Sequence, residues 1–287
     1  MTIRTALVSV GSTEESRVLL NSAFHLARDI GAHLQVLHVR SDPRETIPLL
    51  GEGMSVGMID DMTRIAEDEC NKRAQLARAT YDACQAEFSA PVTDSPLAEG
   101  FSVSWTEASG REDEVLAQYG RLADLIFVAR PNAESEVGHT LMLNAALFDT
   151  GRPALVVPPA GTQKMGSKIV VSWNGSSQSA RAVSSALPIL RNADEVSIFT
   201  IENLQTANQS SAGVAEYMAY HGIECSVRTL TGSGTPVGDE LLKEVEAIGA
   251  DLIVMGAYTH SRMRQLILGG VTRCVLEKST VPLFMAH

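Results

Sequence analysis

Residues Asp251–Gly270 read DLIVMGAYTHSRMRQLILGG. Leu252–Met255 is a short apolar run typical of a strand buried on both faces, and Gly256 ends it. A polar loop follows, and Gly269 and Gly270 then precede a helical pattern. This order predicts an anion site, because glycines let the backbone approach a ligand and the first N–H groups of a helix face its charge. A tight turn that binds nothing is the alternative interpretation, since glycine-rich turns before helices are common.

The distribution of charge supports the anion site more than the total does. The chain carries a net charge of −11, which argues against a nucleic-acid partner. Residues 1–160 hold 13 basic and 23 acidic residues, whereas residues 161–287 hold 10 and 11. Arg262, Arg264 and Arg273 meet no acidic side chain between Asp251 and Glu277. A solvated basic surface remains the alternative interpretation of this patch.

Length and composition indicate a two-domain globular protein. The chain has 287 residues, of which 45% are apolar, enough for a sizeable core. No apolar run approaches the roughly 20 residues of a membrane span, and the amino terminus has no signal-peptide pattern. Four cysteines without a CxxC pair predict neither a zinc site nor a disulfide framework. We therefore expect a cytoplasmic protein with no membrane partner.

The second half of the chain repeats the first. Strand Thr5–Val10, helix Glu15–Ile30 and strand Leu34–Val39 form a βαβ unit, which implies a parallel sheet. The matching strand segments are Thr5–Ser9 and Lys168–Ser172, Leu34–Val39 and Val196–Ile201, Phe101–Thr106 and Cys225–Leu230, Asp124–Phe127 and Asp251–Val254, and Ala154–Val157 and Val281–Met285. The repeat predicts an α/β fold of two tandem, doubly wound, five-stranded parallel-sheet domains at 1–160 and 166–287.

A long helix is predicted in the first half only. From Ile59 to Phe88, apolar residues recur every three or four positions, which gives one stripe over about eight turns. A single small sheet cannot cover such a stripe, so part of it should face the other domain or another subunit. Its counterpart in the second half is shorter, near Ala207–His221.

The segments DLIVMG, LGGVTR and VPLFM in this order resemble the universal stress protein family in its tandem, two-domain form. The resemblance covers nearly the whole chain and implies the family's adenine-nucleotide α-hydrolase-like fold. It also implies a stress-response role, ATP or another adenine nucleotide as the ligand, and the motif G-x2-G-x9-G-[S/T]. The two halves would form an intramolecular pseudo-dimer, with a homodimer and unknown protein partners also possible.

The motif is carried over with two departures. Gly256 and Gly269 match its first and third glycines, whereas Thr259 and Gly270 occupy its second glycine and its Ser/Thr position. Asn174 stands where the family often has an Asp. The resemblance assigns the nucleotide site to Ser172, Trp173, Asn174, Ile201, Met255, Gly256, Thr259, His260, Arg262, Gly269, Gly270, Val271 and Thr272. In the first half Ala129 replaces the first glycine and the spacing is lost, so we expect that half to have lost the ligand.

Three functions are weighed. The first is a nucleotide-binding sensor or regulator with at most slow ATPase activity, because the sequence has neither a P-loop nor a Ser-His-Asp set. The second is a nucleotide-independent scaffold, which Thr259 and Gly270 favour. The third, an adenylyl-transferring enzyme, is disfavoured because the HxGH-type histidine pair is missing. No catalytic residue and no metal ligand is predicted.

Overall fold

The computed structural model describes residues 2–41, 56–93, 100–131, 136–201, 211–230, 235–257 and 270–287. Its strands are β1 Thr5–Ser9, β2 His33–Arg40, β3 Ser102–Ser109, β4 Leu125–Ala129, β5 Ala154–Val157, β6 Lys168–Trp173, β7 Glu195–Ile201, β8 Ser226–Leu230, β9 Leu252–Gly256 and β10 Leu283–Ala286. They form one sheet with the order β3-β2-β1-β4-β5-β10-β9-β6-β7-β8.

The described helices begin and end within a few residues of the predicted bounds. They are α1 Glu14–Ile30, α2 Val56–Phe88, α3 Glu112–Gly120, α4 Glu136–Asn144, α5 Ser177–Leu190, α6 Ser211–Tyr220, α7 Val237–Ile248 and α8 Gly270–Lys278. A π-helical turn at Ala145–Asp149 extends α4. None of the described helices is long and apolar enough to cross a membrane.

The two halves share one topology, as the repeat predicts. Counted from its own first strand, each half has the order 3-2-1-4-5, and all strand pairs within a half are parallel. The two five-stranded sheets are joined edge to edge, because β5 pairs antiparallel with β10 through Leu155 and Phe284. The predicted fold class is confirmed. The pairing of β5 with β10 also joins the two five-stranded sheets into one ten-stranded sheet.

The core lies on both faces of this sheet and runs through both halves. Successive strand residues alternate between the two layers: Ala6 and Val8 lie in one, and Leu7 lies in the other. At the joint Phe284 and Met285 divide in the same way. This burial on both faces explains why the strands read as continuous apolar runs.

The repeated aspartates hold strand starts together. The Asp124 carboxylate accepts hydrogen bonds from the N–H groups of Arg4 (2.9 Å) and Thr5 (3.1 Å). In the second half, Asp251 accepts hydrogen bonds from the N–H groups of Gly166 (3.0 Å) and Lys168 (3.1 Å). Each acid therefore ties the residue before the fourth strand to the start of the first strand. The similarity between Asp124–Phe127 and Asp251–Val254 in the sequence thus has a structural cause.

Helix α2 begins at Val56, three residues before the predicted start. Its carboxyl-terminal half packs on the core through Ala77, Tyr81 and Cys84, all buried. Burial raises the pKa of the Cys84 thiol to about 11, so this cysteine behaves as a small apolar side chain. Among the described residues the main packing partners of α2 are α1 and β2, both in its own half.

Candidate functional site

The predicted site lies at the point where the strand order of the second half reverses. Strand β6 pairs with β7 on one side and β9 on the other, and Ser172 lies opposite Met255 in the β6–β9 register. Open α/β sheets bind ligands beyond the carboxyl ends of the strands at such a point. The structure therefore brings together the two strand ends that carry Ser172–Asn174 and Met255–Gly256.

The loop after β6 is ordered by its own side chains. The N–H and hydroxyl of Ser176 donate to Asn174 Oδ1, at 3.1 and 2.7 Å. The hydroxyl oxygen of Ser176 in turn accepts from the Ser179 N–H at 3.1 Å and caps the start of α5. Asn174 therefore uses its oxygen to shape the loop, and its amide N–H groups are what it can offer to a ligand. Ser172 is buried and Trp173 is half-buried against the core.

Gly256 is required by helix packing. A Cβ built on Gly256 would lie 2.5 Å from the backbone nitrogen of Ser179 and 2.8 Å from the carbonyl carbon of Gln178. The first turn of α5 therefore lies directly against the end of β9. The sequence predicts that Gly256 makes room for phosphate, but the space where its side chain would lie is occupied by the α5 backbone.

Among the described residues, the start of α8 has no close neighbour on its glycine. A Cβ built on Gly270, the first residue of this helix, would meet no heavy atom of the described residues within 4 Å. Val271 is half-buried, and Thr272 is buried, so its hydroxyl is a weaker candidate for ligand contact than the sequence suggests. The helix is anchored to α7, where Lys278 forms an ion pair with Asp239 at 2.6 Å.

The remaining predicted residues are placed only in part. Thr259, His260, Arg262 and Gly269 fall in 258–269, outside the described residues. Ile201 ends β7, where its backbone pairs with Leu230. Arg273, part of the predicted basic patch, pairs with Glu277 at 2.7 Å one turn further along α8.

The first half contains a cavity at the corresponding place. It has a volume of about 340 Å³ and opens beyond the carboxyl ends of β1, β2 and β4. The residues that line it include Ser9, His38, Arg40, Arg73, Glu112, Ala129, Gly138 and His139. The departures from the motif predict no ligand in this half, yet the ends of β1 and β4 also lie where the strand order reverses, the usual place for a ligand in an open α/β sheet.

Buried polar groups give this cavity its chemistry. His38 is buried, and its Nδ1 lies 2.9 Å from the carbonyl oxygen of Val10. That oxygen can only accept, so Nδ1 carries the hydrogen and Nε2 is the acceptor in the neutral ring. The imidazole stacks on Trp105, with ring centres 5.9 Å apart. The Ser9 hydroxyl is enclosed and has no hydrogen-bond partner among the described residues.

Charged groups of both signs lie at the rim. Glu112 has exposed surface where it lines the cavity, yet the surrounding protein desolvates its carboxyl and raises its pKa. Arg73 pairs with Glu69 at 3.1 Å, and Arg40 lies 3.7 Å from Glu107. No cluster of three potential metal ligands occurs in the part of the chain that the structure describes.

Comparisons with known proteins agree with this architecture. The family model described as "Universal stress protein family" matches residues 165–287. A universal stress protein from Archaeoglobus fulgidus is 18% identical, with a TM-score of 0.63 over 98% of this chain and 97% of that chain. A functionally unknown protein from Pseudomonas aeruginosa is 13% identical, with a TM-score of 0.56 over 99% and 92%. At these identities the likenesses show the fold alone. No curated protein matches the chain significantly.

Proposed function

Residues 165–287 form a domain of the universal stress protein family whose fold the first half repeats, and from this premise we propose that the protein is a stress-response regulator that binds adenine nucleotide in its second half. The ligand is ATP or another adenine nucleotide, and the protein acts in the cytoplasm. Binding of the nucleotide, rather than its turnover, carries the signal.

The pairing of Ser172 with Met255 carries this proposal. It places the ends of β6 and β9 side by side where the strand order reverses, and α8 begins in the same half with a Gly270 that no described residue crowds. The first N–H groups of a helix have no partners within the helix, so they attract phosphate. The Asn174 amide adds hydrogen-bond donors near the strand ends. Charge-assisted contacts of this kind contribute roughly 1.5–3 kcal/mol each.

The test is a calorimetric titration of ATP into the wild type and two matched variants. Gly270→Val and Gly138→Val both add a side chain to a helical glycine where a Cβ meets no described atom within 4 Å, so both variants should fold. Gly270 begins α8, whereas Gly138 lines the cavity of the first half. We expect Gly270→Val to weaken binding about tenfold or more, which corresponds to about 1.4 kcal/mol, and Gly138→Val to leave it unchanged.

Two other outcomes are decisive. If only Gly138→Val weakens binding, the nucleotide occupies the cavity of the first half and the proposed location is wrong. If the wild type gives no binding heat, the second candidate, a nucleotide-independent scaffold of the same fold, replaces the proposal. The scaffold is favoured by the departures at Thr259 and Gly270 and by the α5 backbone that fills the space beside Gly256.

A further inference from the structure

Helix α2 carries a second stripe on its exposed surface, apolar except for Glu69 and Lys72 at its centre. Its members follow steps of four and three residues and are all exposed: Met58, Met62, Ile65, Glu69, Lys72 and Leu76. Ala79 and Ala83 continue the same spacing and are also exposed. We call these eight positions the outer stripe. An average step of 3.5 residues is the spacing of a coiled-coil seam.

The side chains of the outer stripe are exposed in the part of the chain that the structure describes. The exposed fractions of Met58, Ile65 and Leu76 are 55%, 64% and 57%. Tyr81 and Cys84, which anchor α2 to the core, are buried and do not belong to the outer stripe. No described residue between Gly57 and Arg73 is fully buried. Large apolar side chains aligned at this spacing mark a surface that binds a partner helix.

The order of residues in the outer stripe is self-complementary when two copies run antiparallel. A twofold axis between Glu69 and Lys72 places Glu69 of one copy opposite Lys72 of the other. The next layers pair Ile65 with Leu76, Met62 with Ala79, and Met58 with Ala83. The central layer thus joins opposite charges, and the two outer layers join a long side chain to a small one, which is how facing positions interdigitate.

A parallel arrangement in the same register fails on both counts. It would place Glu69 against Glu69 and Lys72 against Lys72, so like charges would face each other within the seam. The alanines would also face each other and leave space unfilled. Antiparallel pairing by a twofold axis gives an isologous interface, the commonest kind in homodimers.

The charges beside the seam are compatible with this pairing. Asp61 and Asp82 flank the outer stripe, but each is paired within its own helix, Asp61 with Arg64 at 3.1 Å and Asp82 with Arg78 at 2.9 Å. Glu69 pairs with Arg73 on the exposed surface, an interaction that contributes little on its own and does not prevent contact with a second cation. Lys72 forms no ion pair with any described residue of its own chain.

We propose that the outer stripe of α2 is the interface of a homodimer in which the two α2 helices pack antiparallel about a twofold axis between Glu69 and Lys72. The inference is independent of nucleotide binding, because α2 belongs to the first half and the proposed nucleotide site belongs to the second.

The charge pair at the centre provides the test. Sedimentation velocity on the full chain should show a dimer of two 30.7 kDa copies that dissociates on dilution. Glu69→Lys and Lys72→Glu should each raise the dissociation constant about tenfold or more, because like charges then meet across the axis. The double variant Glu69→Lys/Lys72→Glu restores opposite charges and should regain most of the affinity. Lys243→Glu, the same charge change on α7, is the matched control and should leave the dimer intact.

Orientation is tested by cross-linking in a Cys70→Ser background. Met62→Cys and Ala79→Cys single variants, mixed under oxidising conditions, should form a disulfide between the two different variants. Met62→Cys alone should not cross-link to itself. A wild type that remains monomeric up to about 100 μM would overturn the proposal, as would single charge variants that dimerise like the wild type. Self-cross-linking of Met62→Cys would overturn the antiparallel arrangement.

Discussion

Ala129 and Gly256 end corresponding strands, β4 and β9, yet the space around them differs. Ala129 lines the cavity of the first half, whereas Gly256 lies against the backbone of α5. The match to the motif singles out Gly256 and predicts that the absence of a side chain there leaves room for phosphate. The physical reason for glycine at this position is the approach of a helix from the same chain.

Gly256→Ala should therefore destabilise the protein even without ligand. Its Cβ would require the backbone at Gln178 and Ser179 to shift, and such overpacking costs about 1–3 kcal/mol. The measurement is the urea midpoint relative to the wild type. Gly57→Ala is the control, because a Cβ at that helical position meets none of the described atoms within 4 Å. Equal midpoints for Gly256→Ala and the wild type would contradict the close approach of α5.

Glu112 should make stability depend on pH. Desolvation raises its pKa above the ordinary value of 4.5, so the folded chain holds this proton more tightly than the unfolded chain does. The stability that the neutral carboxyl contributes is fully present below pH 4.5 and is lost as pH rises through the raised value. Relative to Glu112→Gln, the wild type should therefore lose stability as pH increases over this range.

The measurement compares thermal unfolding of both proteins from below pH 4.5 upward, since the loss of stability begins at the ordinary pKa of the carboxyl. Glu114→Gln is the control, since Glu114 lies in the same first turn of α3 and forms an exposed ion pair with Arg111. If Glu112→Gln follows the wild type at every pH, the carboxyl is not desolvated as described.

At the scale of elements, α5 links the predicted site to the core. Its start is held by Ser176, whose hydroxyl oxygen caps the helix, and by Asn174, which orients Ser176. The first half uses the same device, because Thr13 caps α1 by accepting from the Ser16 N–H at 3.2 Å. The loop after the first strand of each half is thus built to begin a helix, whether or not a ligand binds there.

Ser176→Ala should remove about 1 kcal/mol of stability, the usual cost of losing a helix cap. The expected readout is a lower unfolding midpoint, with local hydrogen exchange increased in the first turn of α5. Ser177→Ala, one residue later and exposed, changes no cap and should behave like the wild type. Equal effects of the two substitutions would argue against the role of the cap.

Helix α2 shows what apolar periodicity in the sequence can and cannot predict. The stripe from Ile59 to Phe88 correctly predicts a long helix, and Tyr81 and Cys84 are buried as a core stripe requires. Periodicity does not reveal what covers the amino-terminal turns, which are exposed in the single chain. Contact of α2 with another subunit therefore stays a prediction, which the outer stripe now makes specific.

At the scale of the whole molecule, the pairing of β5 with β10 joins the two halves into one sheet. Both core layers continue across it, and Phe284 is fully buried there. The Arg130 side chain of the first half also donates to the backbone carbonyl of Ser279 in the second. We infer that neither half exposes this edge without loss of stability.

The two halves should therefore unfold together. Each half contains one tryptophan, Trp105 or Trp173, so Trp173→Phe reports on the first half and Trp105→Phe on the second. Within each variant, tryptophan fluorescence and far-ultraviolet circular dichroism should give coincident urea transitions. Phe284→Ala, added to both variants, should lower both midpoints by an amount equivalent to about 3–5 kcal/mol. Separate transitions for the two probes would show that the halves are independent.

The sequence by itself determined the strands, most helices, the duplication and the strand ends that meet at the predicted site. These features can be predicted from local periodicity and from runs such as Leu252–Val254, which are apolar because both faces of the strand are buried. Only the tertiary structure decided that β5 and β10 join, that α5 lies against Gly256 and that the first half keeps a cavity. The physical reason is that these features depend on backbone hydrogen bonds and contacts between residues far apart in the chain. Every strand edge and helix start offers the same backbone groups, so no side-chain pattern identifies which of them will meet.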